Sequence, residues 1–456
     1  MSDAPVAPVL TSRRILAGYF TLAGLYTLSA ALIWGVNTLF LLDAGLSFFE
    51  VFVANAAFSA GMVLFEIPTG VIADTLGRRV SFLLSVTVLA ATTLLYVALA
   101  QVDTGVVAFS VVSVFMGLGF TFYSGAMDAW LVDALSATGY RGLLDRVFAR
   151  GQQITGAAML VGTVGGGLLG QVDLSVPYLV RSALLAAVFV VAYVVMHDVG
   201  FTPRRVTAGE LPGEVVRNAR AGVEFGWGQP SLRLLMLAGL VQGGFLMWGF
   251  YASQPYLLDL LASDAVWIAG LVASGVALAT IVGNQIVRVA SRYCRRRSTL
   301  LLAAAAVASG AAIVMGLADS FWIALPALLL VMGAMGVTSP VRSAYLHQMV
   351  PSEQRATVVS FDSMVSNVGG VGGQVGLGAL GEARGVGTAF VAGGLVTTLA
   401  LPLLTRLRRL GGRADEIVGE SAGKDGPCAA SGLPPVSSVE TSPVEQPALA
   451  VTSAKG

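Results

Sequence analysis

The chain is 456 residues long, 55% hydrophobic and only 12% charged, with a formal net charge of +1. A soluble protein of this length carries roughly a quarter charged residues, so the composition excludes a water-soluble enzyme and indicates an integral membrane protein. The near-zero balance, with arginines gathered loop by loop, offers no basic face for nucleic acid; the partners expected are a lipid bilayer and a small molecule, with the chain a monomer.

Residues 1–14 are rich in Pro and Ala, end on Arg13 and Arg14, and are expected to be disordered. Twelve apolar stretches follow, at roughly 15–42, 48–72, 80–100, 105–131, 147–169, 177–196, 232–260, 266–289, 298–318, 322–346, 356–380 and 386–407. Each is close to or above the ~20 residues that cross a hydrocarbon core as a helix. The first is too long for a cleavable signal peptide and lacks a cleavage site. The expected organisation is all-α: an N-terminal six-helix bundle over 15–198, a cytoplasmic connector over 199–230, a C-terminal six-helix bundle over 231–410, and a tail over 411–456. The tail has no apolar period and should be disordered.

The arginines set the sidedness. With the N-terminus inside, the cytoplasmic segments hold Arg13, Arg14, Arg78, Arg79, Arg141, Arg146, Arg150, Arg204, Arg205, Arg217, Arg220, Arg292, Arg295, Arg296, Arg297, Arg355, Arg406, Arg408 and Arg409. The opposite side holds Arg181 and Arg384 and is otherwise acidic, with Asp43, Glu50, Asp103, Asp173, Asp259, Asp264 and Asp319. By the positive-inside rule both termini are expected in the cytoplasm of a multi-pass plasma-membrane protein. Cys294 and Cys428 fall on the cytoplasmic side, where no disulfide is expected. Two cysteines are too few for a cysteine metal cluster, and His197 and His347 have no neighbouring Cys or His ligand.

Between the second and third stretches lies Gly70-Val71-Ile72-Ala73-Asp74-Thr75-Leu76-Gly77-Arg78-Arg79. It reads as a tight charged turn. Gly70 and Gly77 permit close approach and a sharp reversal, and Asp74 places a carboxylate at the membrane edge. An internal repeat accompanies it. Residues 124–131 align with 339–346, the Arg78-Arg79 turn has a counterpart at Arg295-Arg296-Arg297, and glycine-rich span 5 matches glycine-rich span 11. The pattern G-x-x-x-D-x-x-G-R-R, carried by Gly70, Asp74, Gly77, Arg78 and Arg79 after Glu66-Ile67-Pro68-Thr69, resembles the loop between helices 2 and 3 of the major facilitator superfamily of secondary transporters. The resemblance extends over roughly 13–410. It implies two parallel six-helix repeats with a substrate site between them near the midplane, and a gating role for the Arg78 turn.

Spans 5 and 11 carry Gly156, Gly162, Gly165, Gly166, Gly167 and Gly170, and Gly369, Gly370, Gly372, Gly373, Gly376 and Gly378. Small residues let helix backbones touch where water cannot drive association, either as static packing or as a sliding surface between rocking halves. The family's antiporter signature in helix 5 has a Gly-Pro pair; this span has the glycines and lacks the proline.

Ionisable groups at membrane depth face the interior or are paired. Glu66, Asp128, Asp133, Arg146 and Arg150 are therefore candidates for a charge relay. In one reading Asp74, Asp128 or Asp133 pairs with Arg78, Arg146 or Arg150 as a latch. In the other, Glu66 or Asp128 takes up a proton and couples a proton gradient to transport; no other cofactor is expected. In proteins of the resembled fold, helices 1, 4, 7 and 10 line the central cavity. Their polar and aromatic residues here are Tyr26, Trp34, Asn37, Tyr123, Ser124, Gln242, Trp248, Tyr251, Gln254, Thr338, Ser339 and Arg342. Trp34 and Asn37, and Tyr251 and Gln254, are three apart and would share a helix face. Together they describe an amphipathic cavity for a bulky, partly apolar molecule. The expected function is proton-coupled export of drugs or hydrophobic metabolites, with import or uniport of a small metabolite as the alternative. A membrane-embedded enzyme would need a catalytic cluster at the interface, and no nucleotide-binding G-x-x-x-x-G-K-[ST] occurs.

Overall fold

The computed structural model describes residues 11–417 apart from 103, 202–212, 214–215, 218–219, 221 and 351–354. The expectations for residues 1–10, Asp103, Arg204, Arg205 and 418–456 lie outside the described residues. The first half of the chain forms α1 (Ser12–Trp34), α2 (Asn37–Asp43), α3 (Phe48–Leu76), α4 (Arg78–Ala100), α5 (Val106–Ser124), α6 (Ala126–Ala137), α7 (Leu144–Gly170) and α8 (Val176–Val195). The second forms α9 (Pro230–Leu260), α10 (Val266–Tyr293), α11 (Arg297–Gly316), α12 (Phe321–Met349), α13 (Arg355–Arg384), α14 (Val386–Thr397) and α15 (Ala400–Leu410). Helices are the form these apolar runs take because a single helix satisfies its own backbone polar groups away from water.

Eleven helical segments among the described residues are long and apolar enough to cross a membrane. The twelfth long helix, α13, spans 30 residues. Its glycines make it less apolar than the others. The chain is thus a twelve-helix, multi-pass membrane protein of two six-helix repeats.

Three expected spans are broken. Span 1 divides at Gly35 and Val36 into α1 and α2, span 4 at Gly125 into α5 and α6, and span 12 at Thr398 and Leu399 into α14 and α15. At the first break the chain passes close to a neighbour: a side chain at Gly35 would meet Ala273 and the backbone of Gly270 on α10. Trp34 and Asn37 therefore do not share one continuous helix face.

Each half has its own core. In the first, Leu22, Tyr26, Phe82, Phe109, Trp130 and Tyr178 belong to one buried cluster drawn entirely from residues before 200. In the second, one cluster gathers Trp248, Tyr256, Phe321 and Phe390 and another Leu235, Leu301, Tyr345 and Leu404. Phe52 reaches across from α3 into the cluster around Trp248, with the rings 5.8 Å apart. The connector ends in a π-turn, Val223–Trp227, beside which Gly222 and Gly226 lie against Phe361 and Met236.

The glycine rows of α7 and α13 divide their work. Gly166 rests on the backbone of Leu32 in α1, and Gly369 on the backbone of Leu240 in α9. These are packings inside a half. Gly167 meets Gly270 of α10 backbone to backbone, and Gly378 meets Phe52 of α3. Those lie between halves. Around Gly372 a side chain would find open space.

A methyl group at Gly166 or Gly369 has only backbone to displace. Gly166→Ala and Gly369→Ala are expected to destabilise the protein by about 1–3 kcal/mol, whereas Gly372→Ala leaves it unchanged. Thermal melting of the detergent-solubilised protein, followed by size-exclusion fluorescence, distinguishes the three.

Candidate functional site

The Arg78 turn is held from several directions. Gly77 adopts a φ of 108°, which L side chains rarely tolerate, and sits against the carboxylate of Asp198. That carboxylate accepts the backbone N–H of Arg79 at 2.9 Å, satisfying one of the orphan donors that begin α4. Arg78 pairs with Asp74 at 2.6 Å, and its Nε lies 3.8 Å from Asp133 of α6. Its guanidinium stands 5.7 Å from the centre of the Phe201 ring. Arg79 donates to the Tyr193 carbonyl at 2.6 Å and lies over the Tyr193 ring. The Trp130 indole donates to the His197 carbonyl at 2.9 Å. The turn between α3 and α4 is thereby fastened to α6 and to the end of α8.

The matching turn of the second half is built the same way. Asp415 is buried and accepts the Ser298 backbone N–H at 2.7 Å and the Ser298 hydroxyl at 2.8 Å, at the start of α11. Arg297 donates to the carbonyls of Ala414 and Glu416, each at 2.7 Å, and the Ile417 N–H donates to the Arg295 carbonyl at 3.0 Å. The tail expected to be disordered from 411 therefore has a docked beginning, including a short 3-10 turn at Arg413–Asp415. Its residues are polar, but they are held because α11 needs acceptors at its first turn. Asp198 and Asp415 are capping residues that the sequence reading missed; each follows the last helix of its half.

Of the expected latch, Asp74–Arg78 and Arg78–Asp133 are formed, and all three residues belong to the first half. Among the described residues Arg146 and Arg150 make no ion pair with Asp74, Asp128 or Asp133. Both are exposed, and Arg150 packs over Phe20. Asp128 accepts the Tyr19 hydroxyl at 3.1 Å, tying α6 to α1. Glu66 is half-buried on α3, and its carboxylate has no hydrogen bond or ion pair among the described residues.

The residues expected to line a cavity separate into distinct roles. Tyr26 and Tyr123 stack face to face, 3.7 Å between centroids, against Phe82. Asn37 donates to Asn55 at 3.0 Å and accepts the Tyr178 hydroxyl at 2.9 Å. Gln254 of α9 bridges the break in span 1. Its amide donates to the Trp34 carbonyl at 2.6 Å and its carbonyl accepts the Thr38 N–H at 3.1 Å. The Thr38 hydroxyl donates to the Tyr251 carbonyl at 2.9 Å. Gln254 thus seals one half to the other and is not a free wall. Trp248 is wholly buried between Phe52 and Phe390, a packing residue. Gln242 and Thr338 are buried, while Ser124 and Ser339 are exposed. Arg342 is not available to a ligand anion. Its guanidinium is forked onto Asp362 of α13, with Nε donating to Oδ2 at 3.2 Å, and rests against Gly239 of α9. A shallow apolar groove lies between α1 and α7, lined by Phe20, Gly24, Leu28, Ala157 and Val161; it contains none of the expected cavity residues.

Arg181, expected on the outer side, is in the second turn of α8 and only 5% exposed. Its electrostatic partners are the phenols of Tyr26, Tyr178, Tyr251 and Tyr96. Its Nε has no hydrogen-bond partner. The signal was present in the sequence: Arg181 falls several residues inside an apolar stretch, where a charge is costly.

Among the described residues, the hydrogen bonds that join the two halves lie at or toward the end away from the Arg78 turn. They are those of Gln254, the Thr38 hydroxyl, Phe49 N–H to Glu382 at 2.6 Å, Trp267 N–H to Gln171 at 3.4 Å, and Gln374 to Ser59 at 3.0 Å. At the Arg78 end, each half is instead tied to itself.

The model of the Major Facilitator Superfamily matches residues 19–287 and 267–444. No curated protein matches the chain. Among solved structures, the chain is similar to the nucleoside transporter NupG, at 14% identity and a TM-score of 0.70, covering 87% of this chain and 99% of that one. It is similar to the human organic anion transporter MFSD10 (TETRAN), at 16% identity and a TM-score of 0.60, covering 88% and 100%. It is also similar to the POT family transporter PepTSo, at 15% identity and a TM-score of 0.67, covering 89% and 99%. At these identities the likeness is one of fold.

The carboxylate of Asp198 acts as a helix cap from a distant segment, and removing such a cap costs about 1 kcal/mol. Asp198→Ala is expected to lower stability by that amount and to speed amide hydrogen exchange over residues 77–82. Unchanged exchange there would show that the turn does not depend on Asp198.

Proposed function

The chain belongs to the Major Facilitator Superfamily, and from that premise we propose that it is a secondary active transporter that exports hydrophobic or amphipathic small molecules by proton antiport, through alternating access. Family membership makes it a membrane transporter and not an enzyme. Direction and coupling are the proposed part. One observation carries the reading: two halves with separate cores are hydrogen-bonded to each other toward one end, and each is closed on itself at the other. A bundle tied at one end has one access open. The polar part of its seal is a few hydrogen bonds, each worth about 1 kcal/mol net, so that part of the tie can be exchanged for one at the opposite end. We place the Arg78 end in the cytoplasm on the arginine asymmetry.

The half-buried carboxylate of Glu66, without an ionic partner, is the first choice for the coupling proton. Asp128, hydrogen-bonded to Tyr19, is the second. Asp74, through Arg78 and Asp133, is proposed to hold the gating turn in register. Tyr123, half-buried and stacked on the buried Tyr26, supplies an aromatic surface suited to amphipathic cargo. Import or uniport is the second reading, favoured by the absence of proline from glycine-rich α7. Nucleoside and peptide transporters among the similar structures are compatible with either direction.

Export is tested in cells lacking their own efflux pumps, by following accumulation of cationic, neutral and anionic compounds with and without a proton uncoupler. Expression is expected to lower accumulation, and the uncoupler to restore it. Rising uptake of a polar metabolite would instead establish the second reading. Glu66→Gln or Asp128→Asn is expected to abolish the uncoupler-sensitive component; normal proton-driven flux in both removes the coupling role. Asp74→Asn, losing a charge-assisted contact of roughly 1.5 kcal/mol, is expected to slow transport about tenfold, and a wild-type rate in vesicles removes the gating role.

A further inference from the structure

Among the described residues Arg181 is a guanidinium without a counter-ion. Arginine stays protonated in proteins, and an uncompensated charge away from water is strongly unfavourable. Yet among the described residues it makes no ion pair and its buried Nε donates to nothing, while the phenols of Tyr26, Tyr178, Tyr251 and Tyr96 lie within electrostatic reach. The contrast with Arg342 is direct, since that guanidinium is neutralised by Asp362. A second vacancy lies in the same polar chain. The Tyr178 hydroxyl, one turn from Arg181, donates to Asn37, and Asn37 donates to Asn55. The amide nitrogen of Asn55 is buried and has no acceptor. The Tyr251 hydroxyl, from the opposite half, makes no hydrogen bond among the described residues. Two of the unused groups are donors only, the third is a hydroxyl free to donate, and a fixed positive charge stands among them. What such a set lacks is an acceptor-only, negatively charged group.

We propose that Arg181 is the anion-binding residue of the substrate site, taking the carboxylate of an amphipathic organic acid with the Tyr251 hydroxyl as a second donor. The inference rests on the transporter reading and names its cargo class. Arg181 is on α8 of the first half and Tyr251 on α9 of the second, so the bound anion touches both bodies that must move. Tyr251 also offers its carbonyl to Thr38, and Gln254, three residues on, bridges the break in span 1. The anion thus sits immediately inside the seal, where its binding reinforces this closed end. The half-buried ring of Tyr123, stacked on Tyr26, provides for an aromatic or apolar body.

The test uses the full chain purified in detergent, melted in the presence of matched pairs: benzoate and benzamide, indole-3-acetate and indole-3-acetamide, with potassium chloride as an inorganic control. The acids are expected to raise the melting temperature and the amides not to. In Arg181→Gln the apparent affinity for the acids is expected to fall roughly ten- to a hundredfold. Arg181→Lys retains part of it, and Tyr251→Phe weakens it. Because the substitution removes an uncompensated charge, unliganded Arg181→Gln melts no lower than the parent. The proposal is overturned if no acid stabilises the parent, if amides act as well as acids, if the acid effect survives in Arg181→Gln, or if chloride alone reproduces it. A large drop in the unliganded melting temperature of Arg181→Gln would also overturn it, marking Arg181 as a structural pin. Flux in proteoliposomes separates the two readings. Uncoupler-sensitive flux of neutral compounds with indifference to acids removes the anion site and leaves the transporter. Acid binding with no flux of any compound leaves the anion site and removes the transport reading.

Discussion

A helix leaves the backbone N–H groups of its first turn without partners inside the helix, and how those groups are answered is the constraint on which the bundle turns. Each half meets it with an aspartate that follows its last helix. Asp198 takes up the first turn of α4, and Asp415 the first turn of α11. Both bonds join the beginning of a half's third span to the end of its sixth, so each half becomes a closed body at that end. The paired arrangement is the internal repeat expressed as chemistry.

Across the halves the same constraint is met more sparingly. The break in span 1 frees a carbonyl at Trp34 and an N–H at Thr38, and one side chain from the other half, Gln254, answers both. Glu382 does the same for the start of α3 at Phe49. These hydrogen bonds are few and lie at or toward one end. Polar closure is thus denser within halves than between them, where the packing of Gly167 on Gly270 and of Gly378 on Phe52 supplies the rest of the contact.

Three arginines inside this frame have three different fates. Arg78 is shared between Asp74 and Asp133 and serves the turn. Arg342 is consumed by Asp362 and serves the packing of α12 on α13. Among the described residues Arg181 has tyrosines around it and no ion pair, and its charge remains to be answered. The residue type is the same in each case; what differs is whether a carboxylate from another helix comes within reach.

Composition, the lengths of the apolar runs, the order of the repeats and the G-x-x-x-D-x-x-G-R-R turn were sufficient to read a twelve-helix superfamily fold, because they depend on burial in lipid and on local turn chemistry. The breaks at Gly35, Gly125 and Thr398 were not legible, since an apolar run looks continuous whichever neighbour it must pass. Nor was the docking of Asp415, whose polar surroundings read as tail until α11 required an acceptor. Most of the expected cavity residues lie on the helices assigned to them, yet Trp248, Gln254 and Arg342 proved to be spoken for by other side chains. Sequence alone determined which segments enter the membrane and in what order, because hydrophobicity and charge are properties of each residue by itself. Only the tertiary structure decided which polar groups are satisfied and which, like Arg181, are left open, because a hydrogen bond or ion pair is a property of two residues brought within about 3 Å of each other.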